Sequence, residues 1–282
     1  MDTIKDGETQ GVSTSKVYYF SGTGNSYYVA KRISDALNAK LLPLVLLKKD
    51  DAIEADLLFF VFPVYDFKPP KLASEIIGNL TLIRARRIIA IATYGIALSS
   101  ALRHFERTLS KAEVTLSQGY GIRFPHNAVG SIGFTETENN ARLLAAEHRI
   151  NHILRNIESL SAGSVEKITV FENLTLVKQL PHVLKLIWVL LFKGPESLAF
   201  KVTENCVQCH LCQSICPVDN IEWGRDKPIF GDRCTSCFAC IQWCPNSAIR
   251  LGDFSFEEMG MKHYHHPKVK AANLIINQKY RK

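Results

Sequence analysis

The first 205 positions of this 282-residue chain contain no cysteine; all 8 cysteines fall between Cys206 and Cys244. Disulfides that staple a small exported fold are spread along it. This crowding therefore argues against a disulfide framework and for metal in a reducing compartment. The chain also lacks any run of about 20 apolar residues, which excludes a membrane-crossing helix. The first 15 residues, MDTIKDGETQGVSTS, lack the apolar stretch of a secretory signal and read as a disordered start. The expected location is cytoplasmic. Nucleic-acid binding is disfavoured too. Arg84, Arg86 and Arg87 make one short basic run without interleaved aromatics, which is usually a solvated helix or strand end.

Charge has to be read with the ligands counted. The formal net charge is +7. If the cysteines hold anionic metal clusters, each would contribute roughly −2, and a bound phosphate would contribute roughly another −2. The loaded protein is then near neutral, so the basic pI describes the bare chain.

Residues 16–160 alternate strand and helix patterns. KVYYF (16–20) is a first strand. SYYVAKRISDAL follows as a helix with Val29, Ile33, Ala36 and Leu37 on one face. KLLPLVLL (40–47) is a second strand, and DLLFFVFPV (56–64) is a third, apolar throughout as a strand covered on both faces must be. KLASEIIGNL is a short helix. RIIAIATYG (87–95) is a fourth strand and turn, followed by a helix from Ile96 to about Leu109. VTLSQGYGIRF (114–124) is the fifth strand. A long helix then runs from about Thr135 to Leu160, with Leu143, Leu144, Ile150, Ile153, Leu154 and Ile157 at helical spacing. This alternation predicts an α/β fold, a doubly wound five-stranded parallel sheet with helices on both faces.

Residues 161–199 form a connecting segment whose apolar stretch, LPHVLKLIWVLLFKG (180–194), reads as a helix packed against the domains. A membrane-surface or partner helix is the alternative, although its polar face of His182, Lys185 and Lys193 is thin. Residues 256–282 are a basic tail that reads as solvated. His263, His265 and His266 within it are weak candidates for metal.

Between these lies an internal repeat. CVQCHLCQSICPVDNI (206–221) aligns with CTSCFACIQWCPNSAI (234–249) at an offset of 28. The 200–255 region is thus a pseudo-symmetric small α+β domain with a tiny core, to which bound metal must supply much of the folding energy. Each half reads C-x2-C-x2-C-x3-C-P. Spacings this short place three thiolates around one cubane from a single loop, and the fourth cysteine completes the other cluster. Cys206, Cys209, Cys212 and Cys244 are expected to hold one [4Fe–4S] cluster, and Cys234, Cys237, Cys240 and Cys216 the other. Zinc is the rival, but structural zinc sites use paired C-x2-C knuckles set well apart. This segment closely resembles the bacterial two-cluster ferredoxins, with every ligand present.

The loop Ser21-Gly22-Thr23-Gly24-Asn25-Ser26 stands between the first strand and first helix. Glycines let the backbone approach an anion, and hydroxyls and N–H groups at a helix N-terminus bond a phosphate. No lysine follows, so triphosphate binding is disfavoured, and the loop is not G-x-G-x-x-G. A tight turn with a helix cap is the plain alternative. Two further loops belong at the carboxyl edge of the sheet. Pro63-Val64-Tyr65-Asp66-Phe67 carries two aromatic rings able to stack on a flat cofactor, and Thr93-Tyr94-Gly95 offers backbone amides to ring polar atoms. After strand five, Arg123, His126 and Asn127 are candidates to orient a substrate or donate a proton.

Here residues 16–160 resemble the flavodoxin family, whose phosphate loop is commonly Thr/Ser-x-Thr-Gly-x-Thr. The whole arrangement looks like the EFR1-type ferredoxin family of anaerobic bacteria and archaea. The resemblance implies FMN, two [4Fe–4S] clusters, and an electron carrier or oxidoreductase serving a redox protein partner. A flavoenzyme that reduces a small molecule with the clusters as its wire, and an iron–sulfur sensor or scaffold without flavin, are the rival readings. No nicotinamide motif is present.

Overall fold

The structure, a computed structural model, describes residues 14–126, 135–157, 164–165, 199–252 and 263–276. Asn127, the apolar 180–194 stretch and the ends of the tail lie outside the described residues.

Six parallel strands make one sheet in the order β2-β1-β3-β4-β5-β6. They are β1 (Ser15–Tyr19), β2 (Lys40–Pro43), β3 (Ala52–Pro63), β4 (Leu82–Tyr94), β5 (Gln118–Arg123) and β6 (Ser164–Val165). The first five match the expectation, and the two-residue β6 adds an edge. The 2-1-3-4-5 order is that of the flavodoxin-like doubly wound fold, with its switch point between β1 and β3. Helices α1 (Asn25–Leu37), α2 (Lys71–Gly78), α3 (Ala101–Ser110) and α4 (Glu136–Asn156) flank the sheet.

The period-2 alternation of the apolar strands produces two cores. Val17, Tyr19, Phe59, Val61, Ile89 and Ile91 face one side and pack with Val29 and Ile33 of α1 and Ile150 and Ile153 of α4. Tyr18, Phe20, Leu58, Phe60, Phe62, Ile88 and Ala90 face the other, with Ala73 and Ile77 of α2 and Leu102 and Phe105 of α3.

Local departures have local causes. The second strand stops at Pro43 instead of reaching Leu47, because proline has no N–H for the ladder and the chain turns into a short helical turn at Leu44–Leu46. β4 begins five residues early, at Leu82, so the Arg84–Arg87 run lies in the solvated first half of that strand, where Arg84 pairs with Glu54. Leu144 is 61% exposed and lies off the apolar face of α4.

The cysteine-rich segment folds as two short hairpin-like pairs and two short helices. β7 (Phe200–Val202) pairs with β10 (Ile249–Leu251), and β8 (Ile221–Trp223) with β9 (Pro228–Phe230), both antiparallel. The helices are α5 (Leu211–Ile215) and α6 (Ala239–Gln242). Among the described residues its own small core centres on Ile241 and Ile249, with Ile221 and Ala248 also buried. Ile215, Ala239 and Trp243 instead join the α1–α4 core of the sheet domain.

Residues 263–276 depart from the expectation of a solvated tail. His266, Val269, Leu274 and Ile276 are buried. Val269 and Leu274 enter the same α1–α4 core, which repays the ordering of this strap with apolar burial.

Phe105 touches Phe60 and Phe62 at ring separations of 5.5 and 4.6 Å and is fully buried. Phe105→Ala should cost about 3–5 kcal/mol, read from the midpoint of denaturant unfolding.

Candidate functional site

The first strand delivers the chain to the carboxyl edge of the sheet, and there the Ser21–Ser26 loop turns into α1. Gly24, at φ 97°, occupies the left-handed region that favours glycine. Its N–H donates to Ser21 Oγ at 3.1 Å, which tightens the loop. No side chain caps α1 among the described residues, whereas α4 closes its own start with a Thr135–Glu138 capping box. The N–H groups of the first α1 turn are thus left for another acceptor. Ser26 and Thr93 are buried and bonded to each other through their hydroxyls at 2.8 Å, tying the loop to the end of β4. Whichever hydroxyl donates, the other keeps a proton for a ligand.

All three expected loops line one cleft of about 400 Å³, within the size range of a cofactor pocket. Ser21, Gly22, Thr23, Asn25 and Ser26 form one wall; Gly24 sits just behind it. Pro63, Val64, Tyr65 and Phe67 form a second, and Thr93, Tyr94 and Gly95 a third. Asp66 and Phe67, at φ 46° and 62°, make the two-residue turn that joins Tyr65 to Lys68. Val64 N–H donates to Thr93 O, and Phe124 N–H to Tyr94 O, which hold the second and third walls on the sheet. Gly95 is required by its neighbour, because a Cβ there would fall 2.3 Å from His126 Cδ2. Arg123 Nε donates to Gly95 O at 3.2 Å, so Arg123 braces this loop. His126 lines the cleft, and its Nδ1 is buried without a hydrogen-bond partner among the described residues. Burial, with Arg142 nearby, pushes its pKa down to about 4, so the imidazole is neutral. A wider groove of about 1210 Å³ runs alongside, lined by Lys48, Lys71, Glu75 and Asp232 among others.

The fourth wall comes from the cysteine segment. Ser236, Cys237 and Phe238 line the cleft. Gly22 explains why they can: a Cβ at that position would lie 2.3 Å from the Cys237 carbonyl oxygen. Trp243 Nε1 donates to Gly22 O at 3.0 Å across the same junction.

No disulfide joins any of the eight cysteines. They surround two small cavities. Cys206, Cys209, Cys212 and Cys244 line one, and Cys216, Cys234, Cys237 and Cys240 the other. The backbone repeats with them. Gln208, His210 and Asp219 have positive φ, and so do Ser236, Phe238 and Ser247, each 28 positions later. None is glycine, so each conformation carries a cost and turns N–H groups inward, as in the nests that hold anionic clusters. Backbone N–H groups point at the sulfurs: Asn220 N to Cys216 Sγ at 3.3 Å, Ala248 N to Cys244 Sγ at 3.2 Å, and Ser236 N to Cys234 Sγ at 3.4 Å. Burial pushes the Cys212 and Cys237 thiols up to about 11, and Cys240 is raised as well. Burial thus favours the neutral thiol, and metal binding displaces the proton.

No family model matches the chain. The C-terminal part is 42% identical over 64 residues to the ferredoxin 7Fe of Hydrogenibacillus schlegelii, covering 22% of this chain and 82% of that protein. Through this segment, the chain belongs to the ferredoxin family. The ferredoxin segment is also 35% identical over 54 residues to the polyferredoxin protein MvhB of Methanothermus fervidus, a match that spans 19% of this chain and 13% of that relative's length. The flavodoxin-like part is similar to a solved flavodoxin from the domain Archaea, at 13% identity and a TM-score of 0.33, covering 49% of this chain and 98% of that one.

The strap was missed by sequence reading, although it supplies a charged partner to α1 and α4. Lys268 Nζ donates to Glu147 Oε1 at 2.8 Å, and Arg32 and Tyr28 bond the same carboxylate. The signal that could have found it is the apolar spacing of Val269, Leu274 and Ile276 behind the histidines. Despite partial desolvation, hydrogen bonds from Lys268, Tyr28 and Arg32 pull the Glu147 pKa from 4.5 down to about 2. A depressed carboxyl pKa stabilises the fold above the unfolded value and loses that effect as pH falls through the folded one. The stability gap between the wild-type chain and Glu147→Gln should therefore narrow as pH falls from about 4.5 towards 2, followed by circular dichroism at matched pH.

Proposed function

We propose that this chain is an iron–sulfur flavoprotein that transfers electrons between two [4Fe–4S] clusters and FMN on behalf of a redox partner protein. The observation that carries the reading is that one residue, Cys237, walls both the cofactor cleft and one cysteine cavity. A group held in the cleft and a cluster held by Cys237 are thereby neighbours. The residues fit both groups. An uncapped helix start and a glycine loop suit a phosphate, aromatic side chains suit a flat ring, and paired sets of four thiols with inward N–H groups suit cubanes. When bound, the clusters supply single-electron steps, and the flavin supplies both one- and two-electron chemistry. The chain positions them and directs backbone N–H groups at the sulfurs of Cys216, Cys244 and Cys234.

A second reading, a flavoenzyme acting on a small molecule, draws on His126. Its buried Nδ1, without a partner among the described residues, is at the cleft and placed to bond a ligand. An enzyme would turn over a small acceptor with saturation and selectivity, and His126→Ala would remove that selectivity. A carrier would reduce many acceptors but depend on a protein partner.

Protein purified without oxygen should contain about eight iron, eight sulfide and one FMN per chain. About seven iron would point to one incomplete cluster. Full iron without flavin would leave a ferredoxin with a helper domain. Zinc in place of iron would overturn the electron-transfer reading.

A further inference from the structure

The phosphate loop presents three acceptor atoms that would repel an anion, and each is occupied by a donor from the C-terminal part of the chain. Gly22 O accepts from Trp243 Nε1 at 3.0 Å. Thr23 O accepts from the His266 N–H at 2.9 Å. Asn25 Oδ1 accepts from the Tyr264 hydroxyl at 2.7 Å. These donors are themselves anchored to α6 of the ferredoxin segment. Tyr264 N–H donates to Gln242 Oε1 at 2.7 Å, and the His265 ring stacks on Trp243 with centroids 4.1 Å apart.

We propose that Tyr264 is a positioning residue of the phosphate site. By engaging Asn25 Oδ1 it holds the amide with Nδ2, the donor end, available to the phosphate of FMN. Asn25 is buried and lines the cleft, so an amide turned the other way would present its oxygen, not its donor end, to the anion. The strap makes flavin phosphate recognition a property of both halves of the chain. This inference rests on the FMN reading above.

The test compares FMN with riboflavin, which has the ring but no phosphate, titrated by flavin fluorescence against the iron-loaded full-length chain after its own flavin is removed. Tyr264→Phe should weaken FMN roughly five- to tenfold, the effect of one hydrogen bond misplaced beside a charge, and leave riboflavin affinity unchanged. Asn25→Asp, which turns the donor end into an acceptor, should weaken FMN by more than tenfold and again spare riboflavin. Equal weakening of both flavins in Tyr264→Phe would mean that the strap only supports the fold, and would overturn the proposal. So would FMN affinity unchanged in Asn25→Asp. A wild-type chain that binds neither flavin would instead remove the FMN reading itself.

Discussion

The rest of the structure depends on the close approach of Gly22 to the Cys237 backbone. A single extra carbon at Gly22 would sit inside the carbonyl of Cys237, so these two parts of the chain meet at van der Waals limits. The contact matters because the ferredoxin segment has little core of its own. Its own cluster centres on Ile241 and Ile249 among the described residues, and it borrows apolar burial by inserting Ile215, Ala239 and Trp243 against the sheet domain. Docking and metal ligation are the two sources of its folding energy, and the glycine loop is where the docking happens.

Electrostatics explains why this junction also suits ligands. The ferredoxin segment turns N–H groups towards its sulfurs through strained, non-glycine left-handed residues, repeated 28 positions apart. Such strain persists only where something over-determines it. The glycine loop follows a related logic with a different backbone. Its helix start is uncapped, and its acceptors are engaged from behind by Trp243, His266 and Tyr264. In both places donors converge and acceptors are turned away, which is the condition for holding a negatively charged group.

Much of this was legible in the sequence because it depends on spacing. Period-2 apolar runs specified strands whose two faces feed two separate cores, and the 28-residue repeat placed four cysteines at each of two cavities. The three cleft loops were legible because they follow consecutive strands of a parallel sheet, whose carboxyl ends must lie together. Pro43, Leu144 and the early start of β4 were misread, since strand ends and helix faces depend on what packs against them. The strap was misread for the same reason. His266 looks like a solvated histidine until Tyr28 stacks on it at 4.1 Å.

By itself, then, the sequence determined the parallel sheet, the two sets of thiols and the loop at the start of α1, because each is written in local periodicity or fixed spacing. Only the tertiary structure decided that Cys237 shares a wall with the cleft, that Gly22 must be glycine for a reason outside its own turn, and that residues 263–276 hold the loop from behind. Those relations join residues more than 100 positions apart. No local rule reaches that distance; they arise only when two small cores merge to exclude water from their common face.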